Sequence, residues 1–270
     1  VSARKLWTAV GWTYCVLIAA FLLLPVAIMV PASFGASEAL QFPPRDLSLR
    51  WYSRVLTDPQ WASSAALSGR LALLAAAVAT LAGLLLGIAH IRLGGVKASL
   101  RAFFMLPLVV PHIVLATGLF SILLQVRLLG SASVLGFAHA CLALPLTMVL
   151  FVTAVESIDP LLWTAASTLG ARWPAVLRHV ILPNLALTIG AAFLLAFIVS
   201  WDEVTFAIFV GPSRTPTLPS RMFLYLSELI TPALTAVATL LVGVTLVMGS
   251  LLSVLRWLRL RSARTAMREA

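Results

Sequence analysis

Charge is what this chain has least of. Only 10% of its 270 residues are Asp, Glu, Lys or Arg, against 61% apolar, whereas soluble domains carry about 25% charged and about 45–50% apolar residues. A deficit of that size excludes an ordinary water-soluble domain, and the apolar excess excludes a disordered chain. Cysteine is nearly absent: Cys15 and Cys141 stand in separate apolar runs, so a disulfide scaffold is excluded and the redox compartment is unmarked. The four histidines, His90, His112, His139 and His179, fall on different segments. None has the i, i+4 partner that a zinc site uses, so no metal site is expected. There is no Gly-x4-Gly-Lys-Ser/Thr phosphate loop, so the chain itself is not expected to hydrolyse ATP. Ser, His and Asp are too scattered to nominate a hydrolytic triad, and no residue is assigned a catalytic role.

What is present is a series of long apolar runs, at about 10–30, 65–91, 103–126, 134–155, 185–209 and 233–255. A hydrocarbon layer roughly 30 Å thick takes about 20 helical residues to cross, and only helices or closed barrels satisfy their backbone there. The expected fold is all-α: a polytopic membrane protein with six transmembrane helices in one domain over 1–270, with a first span at about 10–30 and a five-span core at about 62–255. The first run is longer than the roughly 7–15 residues of a signal-peptide core, so a retained span is expected.

The net charge of +10 would suggest nucleic acid in a soluble protein, but here the basic residues sit in short segments between the runs, and no nucleic-acid partner is expected. Twelve of the 19, namely Arg4, Lys5, Arg92, Lys97, Arg101, Arg172, Arg178, Arg256, Arg259, Arg261, Arg264 and Arg268, fall in segments that alternate to one side. The positive-inside rule then places both termini and the segment 156–184 in the cytoplasm.

That segment is much longer than the 2–8 residues a bundle connection usually takes. Asp159-Pro160 reads as an N-cap and first-turn pair opening a helix that stops at Gly170. A second helix is expected from about Pro174, closed by Pro183, with Val176, Leu177, Val180 and Ile181 on one face and Arg178 and His179 elsewhere. On physics alone it is an interfacial anchor or a docking element. On the other side, 31–61 reads as a loop with one short interfacial helix around Leu49-Arg50-Trp51-Tyr52.

The wording of the hairpin is specific: Thr164-Ala165-Ala166-Ser167-Thr168-Leu169-Gly170, then nine residues, then Val180-Ile181-Leu182-Pro183. It closely resembles the Glu-Ala-Ala…Gly…Ile-x-Leu-Pro loop of membrane-spanning permease subunits in bacterial binding-protein-dependent ABC importers. The resemblance covers most of 40–255, including the double-proline stretch Leu106-Pro107-Leu108-Val109-Val110-Pro111. Through Ser200-Trp201-Asp202-Glu203-Val204, Thr217-Leu218-Pro219 and Arg221-Met222 it looks like spermidine/putrescine-type permeases.

The resemblance implies a type I ABC importer permease fold in the bacterial inner membrane. It implies alternating access driven by two cytoplasmic ATPase subunits, which bind the ATP and Mg, so no cofactor is expected in this chain. A periplasmic solute-binding protein and a second permease, a related chain forming a heterodimer, complete the assembly. It assigns Ala165, Ala166, Gly170, Leu182 and Pro183 to ATPase coupling. Thr164 stands where the family usually has Glu, and Val180 where it has Ile. The lost charge is expected to be replaced by a Thr164 hydroxyl contact or by Arg172.

Asp202 and Glu203 fall in the fifth apolar run. Ionisable groups at such depth line a polar pathway or pair with another charge. Two readings stand: a substrate pathway formed with Trp201, whose ring could stack on an organic cation, or a structural ion pair with Arg70. The expected cargo is a polyamine or other small organic cation, with another small solute as the alternative. A secondary transporter would need no large docking hairpin and often carries an internal repeat; an intramembrane enzyme would need a reactive constellation. The sequence offers neither.

Overall fold

A computed structural model describes residues 3–95, 97–228 and 231–269; the side chains of 3–6, 9, 227, 228, 252 and 255–269 lie outside the description. Among the basic residues of the charge count, Arg4, Lys5, Arg256, Arg259, Arg261, Arg264 and Arg268 therefore carry no side-chain description. The chain is helical, with no strand among the described residues. It forms two compact units, Val1–Ala62 with Leu224–Val244, and Ser63–Phe223 with Thr245–Ala270.

In the first unit α1 (Ala3–Ala32) is followed by a turn-rich segment and the eight-residue α2 (Arg50–Thr57). The short helix expected around Trp51 is there, but Trp51 is buried rather than set at a surface, because its indole N–H donates to the Gly35 carbonyl at 3.0 Å. The Ser33 and Tyr52 hydroxyls meet at 2.6 Å, and the Phe34 and Tyr52 rings lie 5.1 Å apart. These contacts fold 33–52 back on itself.

Helix α3 (Pro59–Arg92) leads into the second unit. There α4 (Ala98–Val109) and α5 (His112–Gln125) precede α6 (Ala132–Glu156). A hairpin of α7 (Pro160–Thr168) and α8 (Trp173–Val176) leads to α9 (Leu182–Trp201) and α10 (Thr205–Val210). The chain ends with α11 (Leu218–Glu228) and α12 (Pro232–Glu269). Five helical stretches are long and apolar enough to cross a membrane: Val10–Ala32, Pro59–Arg92, Ala132–Glu156, Trp173–Trp201 and Pro232–Leu251. The pair α4 and α5, bent by 99°, is apolar enough to make a sixth when taken together, as a broken span or a re-entrant loop.

The bend falls at Pro111, the second proline of the double-proline stretch. Pro111 has no N–H to give to a preceding turn and disfavours helical geometry in the residue before it; Val110 is extended, at φ −79° and ψ 129°. Pro107, inside α4, and Pro145, inside α6, leave their helices continuous. The run 185–209 is likewise two helices, α9 and α10, parted at Asp202. Pro183 also departs from expectation, since it closes nothing. A five-residue π-turn at Leu177–Ile181, with the Leu182 N–H reaching back to the Leu177 carbonyl, joins α8 to α9. That wider turn admits a proline without ending the helix, and the Asn184 side-chain amide donates to the Val180 carbonyl at 2.7 Å.

The core of the second unit is built on small residues. Ala72, Ala75, Ala76 and Ala79 of α3 pack with Ala140 and Ala143 of α6 and with Ala196 and Phe197 of α9. Where α3 passes α6, a Cβ on Gly83 would stand 2.7 Å from the Thr147 hydroxyl oxygen, and one on Gly87 would stand 2.9 Å from the Phe151 Cβ. The missing side chains let the backbones approach, and the Thr147 hydroxyl donates to the Ala79 carbonyl across the gap at 2.8 Å. Close approach of this kind, with one hydrogen bond worth about 0.6 kcal/mol, is how helices associate where no hydrophobic driving force separates them from lipid.

Candidate functional site: a docking hairpin and paired helix breaks

The first limb of the hairpin is made as the residues foretell. The Asp159 carboxylate accepts the Leu161 N–H at 2.9 Å and caps α7. Gly170 turns the chain at φ +83°, a conformation that costs a side chain about 1–2 kcal/mol. Val176 and Ile181 are buried, Leu177 and Val180 half-buried, and Arg178 and His179 exposed. Of the residues assigned to coupling, Thr164, Ala165, Gly170, Arg172 and Pro183 are exposed, while Ala166 and Leu182 are half-buried. Thr164, Ala165, Ala166, Gly170 and Arg172 thus gather on α7 and its turn, and Leu182 and Pro183 sit beyond the π-turn.

The Thr164 hydroxyl donates to its own helix, to the Pro160 carbonyl at 2.8 Å, leaving its lone pairs facing out. Leu161, Leu162 and Leu169 are exposed on the same short helix and its cap, Leu169 by 88%. The Arg92 guanidinium lies 4.8 Å over the Trp173 ring, tying the hairpin to α3, while His90 Nε2, 3.2 Å from the Glu156 carboxylate, ties α3 to the end of α6.

At the α9–α10 break the two acidic residues part company. Asp202 ends α9 and is exposed, whereas Glu203 is only 8% exposed. Glu203 Oε1 accepts the Phe206 N–H at 3.1 Å, starting α10, and Oε2 lies 3.4 Å from His112 Nδ1. The carboxylate therefore uses both oxygens within the protein, and the break has a local cause: an acidic side chain takes a backbone donor that a continuous helix would have used. The partner of Glu203 is His112, the first residue of α5. Arg70 is exposed and, among the described residues, makes no ion pair with either acid, so the alternative built on it does not hold. Trp201 stacks one ring face on Phe197, at 5.7 Å and 17°, and its indole N–H is enclosed without a partner.

Sequence reading missed His112 as part of this site. It also missed the lock in which the Arg221 Nε–H donates to the Ser64 hydroxyl at 2.7 Å and the Leu218 N–H to the Ser68 hydroxyl at 2.8 Å. The only signal for His112 was its place directly after Pro111, and nothing local ties it to a residue on another span.

A helical chain with five to six stretches able to cross a membrane and a capped hairpin between two of them fits a membrane transport protein. The chain belongs to the family of binding-protein-dependent transport system inner membrane components, whose profile matches residues 79–260. It is 30% identical over 231 residues to the spermidine/putrescine transport system permease protein PotC of Haemophilus influenzae, covering 84% of this chain and 88% of that one. It is 29% identical over 239 residues to the putrescine transport system permease protein PotI of Escherichia coli, covering 85% and 84%. Its fold matches a chain of a bacterial ABC transporter involved in the import of the acidic polysaccharide alginate, with a TM-score of 0.66 at 15% identity over 94% of this chain and 97% of that one.

Proposed function

We propose that this permease subunit of an ABC importer forms half of a polyamine or small organic cation pathway, coupled through the 156–184 hairpin to a cytoplasmic ATPase. The carrying observation is the hairpin itself, an N-capped helix with exposed Leu161, Leu162 and Leu169, its returning limb tied to α3 by Arg92 on Trp173. An apolar patch on a short helix suits a groove in a partner. Two ATPase subunits bind ATP and Mg, a related chain completes the pathway, and a periplasmic binding protein delivers the solute at the bacterial inner membrane. ATP and the loaded binding protein act by preferring different states of the permease pair.

Cation import draws on the likeness to PotC and PotI and on Asp202, an exposed carboxylate at a helix break. A fixed carboxylate replaces part of the water an ammonium group sheds on entering a pore. Thr164 puts a hydroxyl where the family has an acidic contact, and Arg172, exposed just past Gly170, supplies a charge on the same turn. The test is uptake by the reconstituted whole complex. Putrescine or spermidine uptake that Asp202→Asn lowers without loss of assembly supports the reading. Uptake of a neutral sugar or an anion, with none of amines, overturns the cargo and leaves the permease assignment standing.

A further inference from the structure

Two interruptions of the apolar spans meet at a single side-chain pair. One is the 99° bend between α4 and α5, after which His112 is the first helical residue. The other is the gap between α9 and α10, which contains Glu203. His112 Nδ1 and Glu203 Oε2 stand 3.4 Å apart. Their environments differ: Glu203 is 8% exposed, but the His112 side chain is 46% exposed. The carboxylate is anchored by the Phe206 N–H on its other oxygen, and the imidazole, with the buried Phe206 ring edge-on at 6.4 Å, is the member that can leave.

The contact between His112 Nδ1 and Glu203 Oε2 is an ion pair whenever the imidazole is protonated. A close contact of one cationic nitrogen with one carboxylate oxygen is also what an ammonium group makes. The neighbouring Asp202 is exposed, so an aliphatic amine arriving at Asp202 is one residue along the chain from the second carboxylate.

The geometry points to His112 as a specificity-determining residue, an internal competitor that holds Glu203 until a cationic solute displaces it. This rests on the cation-import reading above. A neutral solute has nothing with which to replace the imidazole, whereas a diamine places one ammonium at Asp202 and exchanges the other for His112 at Glu203. The exchange needs no proton transfer and keeps the buried carboxylate paired throughout, which matters because an unpaired buried charge is strongly disfavoured.

The experiment is putrescine uptake by the complete complex in proteoliposomes, with His112→Ala, His112→Lys and His112→Asn and with the assembled fraction measured for each. Removing the competitor is expected to lower the half-saturating putrescine concentration. A tethered permanent cation at His112→Lys is expected to raise it by at least about tenfold. His112→Asn, which keeps a donor near the Nδ1 position, is expected to stay close to the unsubstituted protein. Opposite shifts of KM at unchanged assembly are something a merely structural role for His112 would not produce. If Ala and Lys both raise KM, or neither moves it, while the unsubstituted complex takes up putrescine and Asp202→Asn impairs it, this inference falls and cation import stands. If the unsubstituted complex takes up no amine, both fall.

Discussion

The Arg92 guanidinium lies over the Trp173 ring at 4.8 Å, joining the last turn of α3 to the returning limb of the hairpin. A surface cation–π contact is worth about 0.5–1 kcal/mol, too little to hold a fold but enough to bias how rigidly two elements move together. Arg92→Ala is expected to lower thermal stability by no more than that amount, yet to raise the ATP hydrolysed per solute imported. Arg92→Lys, with a weaker stack, should fall between. A stoichiometry unchanged in both would remove Arg92 from the coupling path.

Gly83 sits where α3 and α6 touch, and a side chain there meets Thr147. Overpacking of this kind costs about 1–3 kcal/mol, so Gly83→Leu should lower the melting temperature of the purified protein in detergent and reduce monodisperse yield. Thr147→Val keeps the volume and removes the hydroxyl that reaches both the Ala79 carbonyl across the gap and the Leu144 carbonyl of its own helix, and should cost about 0.6 kcal/mol for the interhelical bond. A larger penalty from Thr147→Val than from Gly83→Leu would mean that the hydrogen bond, not the close approach, fixes this contact.

Gly170 turns the hairpin at positive φ. The space beside it is open, with no atom within 4 Å of where a Cβ would stand, so a substitution acts through backbone strain alone. Gly170→Val is expected to insert normally and to lose transport or ATPase assembly, while Gly170→Asn, tolerant of that conformation, retains most of it. Co-purification with the ATPase and uptake measure both. Equal behaviour of the two variants would detach the turn from docking.

Sidedness follows from the basic residues. With Cys15 and Cys141 replaced by Ser, cysteines introduced at Ala39 and Ser167, both exposed, should react with an impermeant thiol reagent from opposite faces of the membrane, Ser167→Cys from the cytoplasm. Labelling of Ser167→Cys in intact cells would invert the topology.

The helical spans were legible because a run of some 20 apolar residues has few other solutions. Gly170 and Asp159 were legible because cap and turn chemistry is local. The bend at Pro111 was half-legible: proline announces a fault but not its angle. The gap at Asp202 was misread as a charged point within one span: the run stays apolar on both sides of the Glu203 cap on the Phe206 N–H, and the partner of that carboxylate, His112, stands on a different helix. Pro183 was misread for the converse reason. The rule that proline ends helices assumes a regular helix before it, and here the preceding turn is a wide one.

That wide turn sets an angular phase. Val176, Ile181, Leu185 and Ala192 are all buried; the last three follow steps of four and seven, but the first step is five. In a regular α-helix, at about 100° per residue, a step of five would carry Val176 well round the cylinder from Ile181. The π-turn takes up the surplus residue, so the hairpin limb and the span present one seam despite being out of register in sequence. Deleting a single residue from 177–181 would restore an ordinary helix and leave the span able to cross the bilayer. The hairpin limb would then keep roughly its present bearing, because the step from Val176 to Ile181 would fall from five to four; forcing all five residues into α geometry is what would swing it by about 100°.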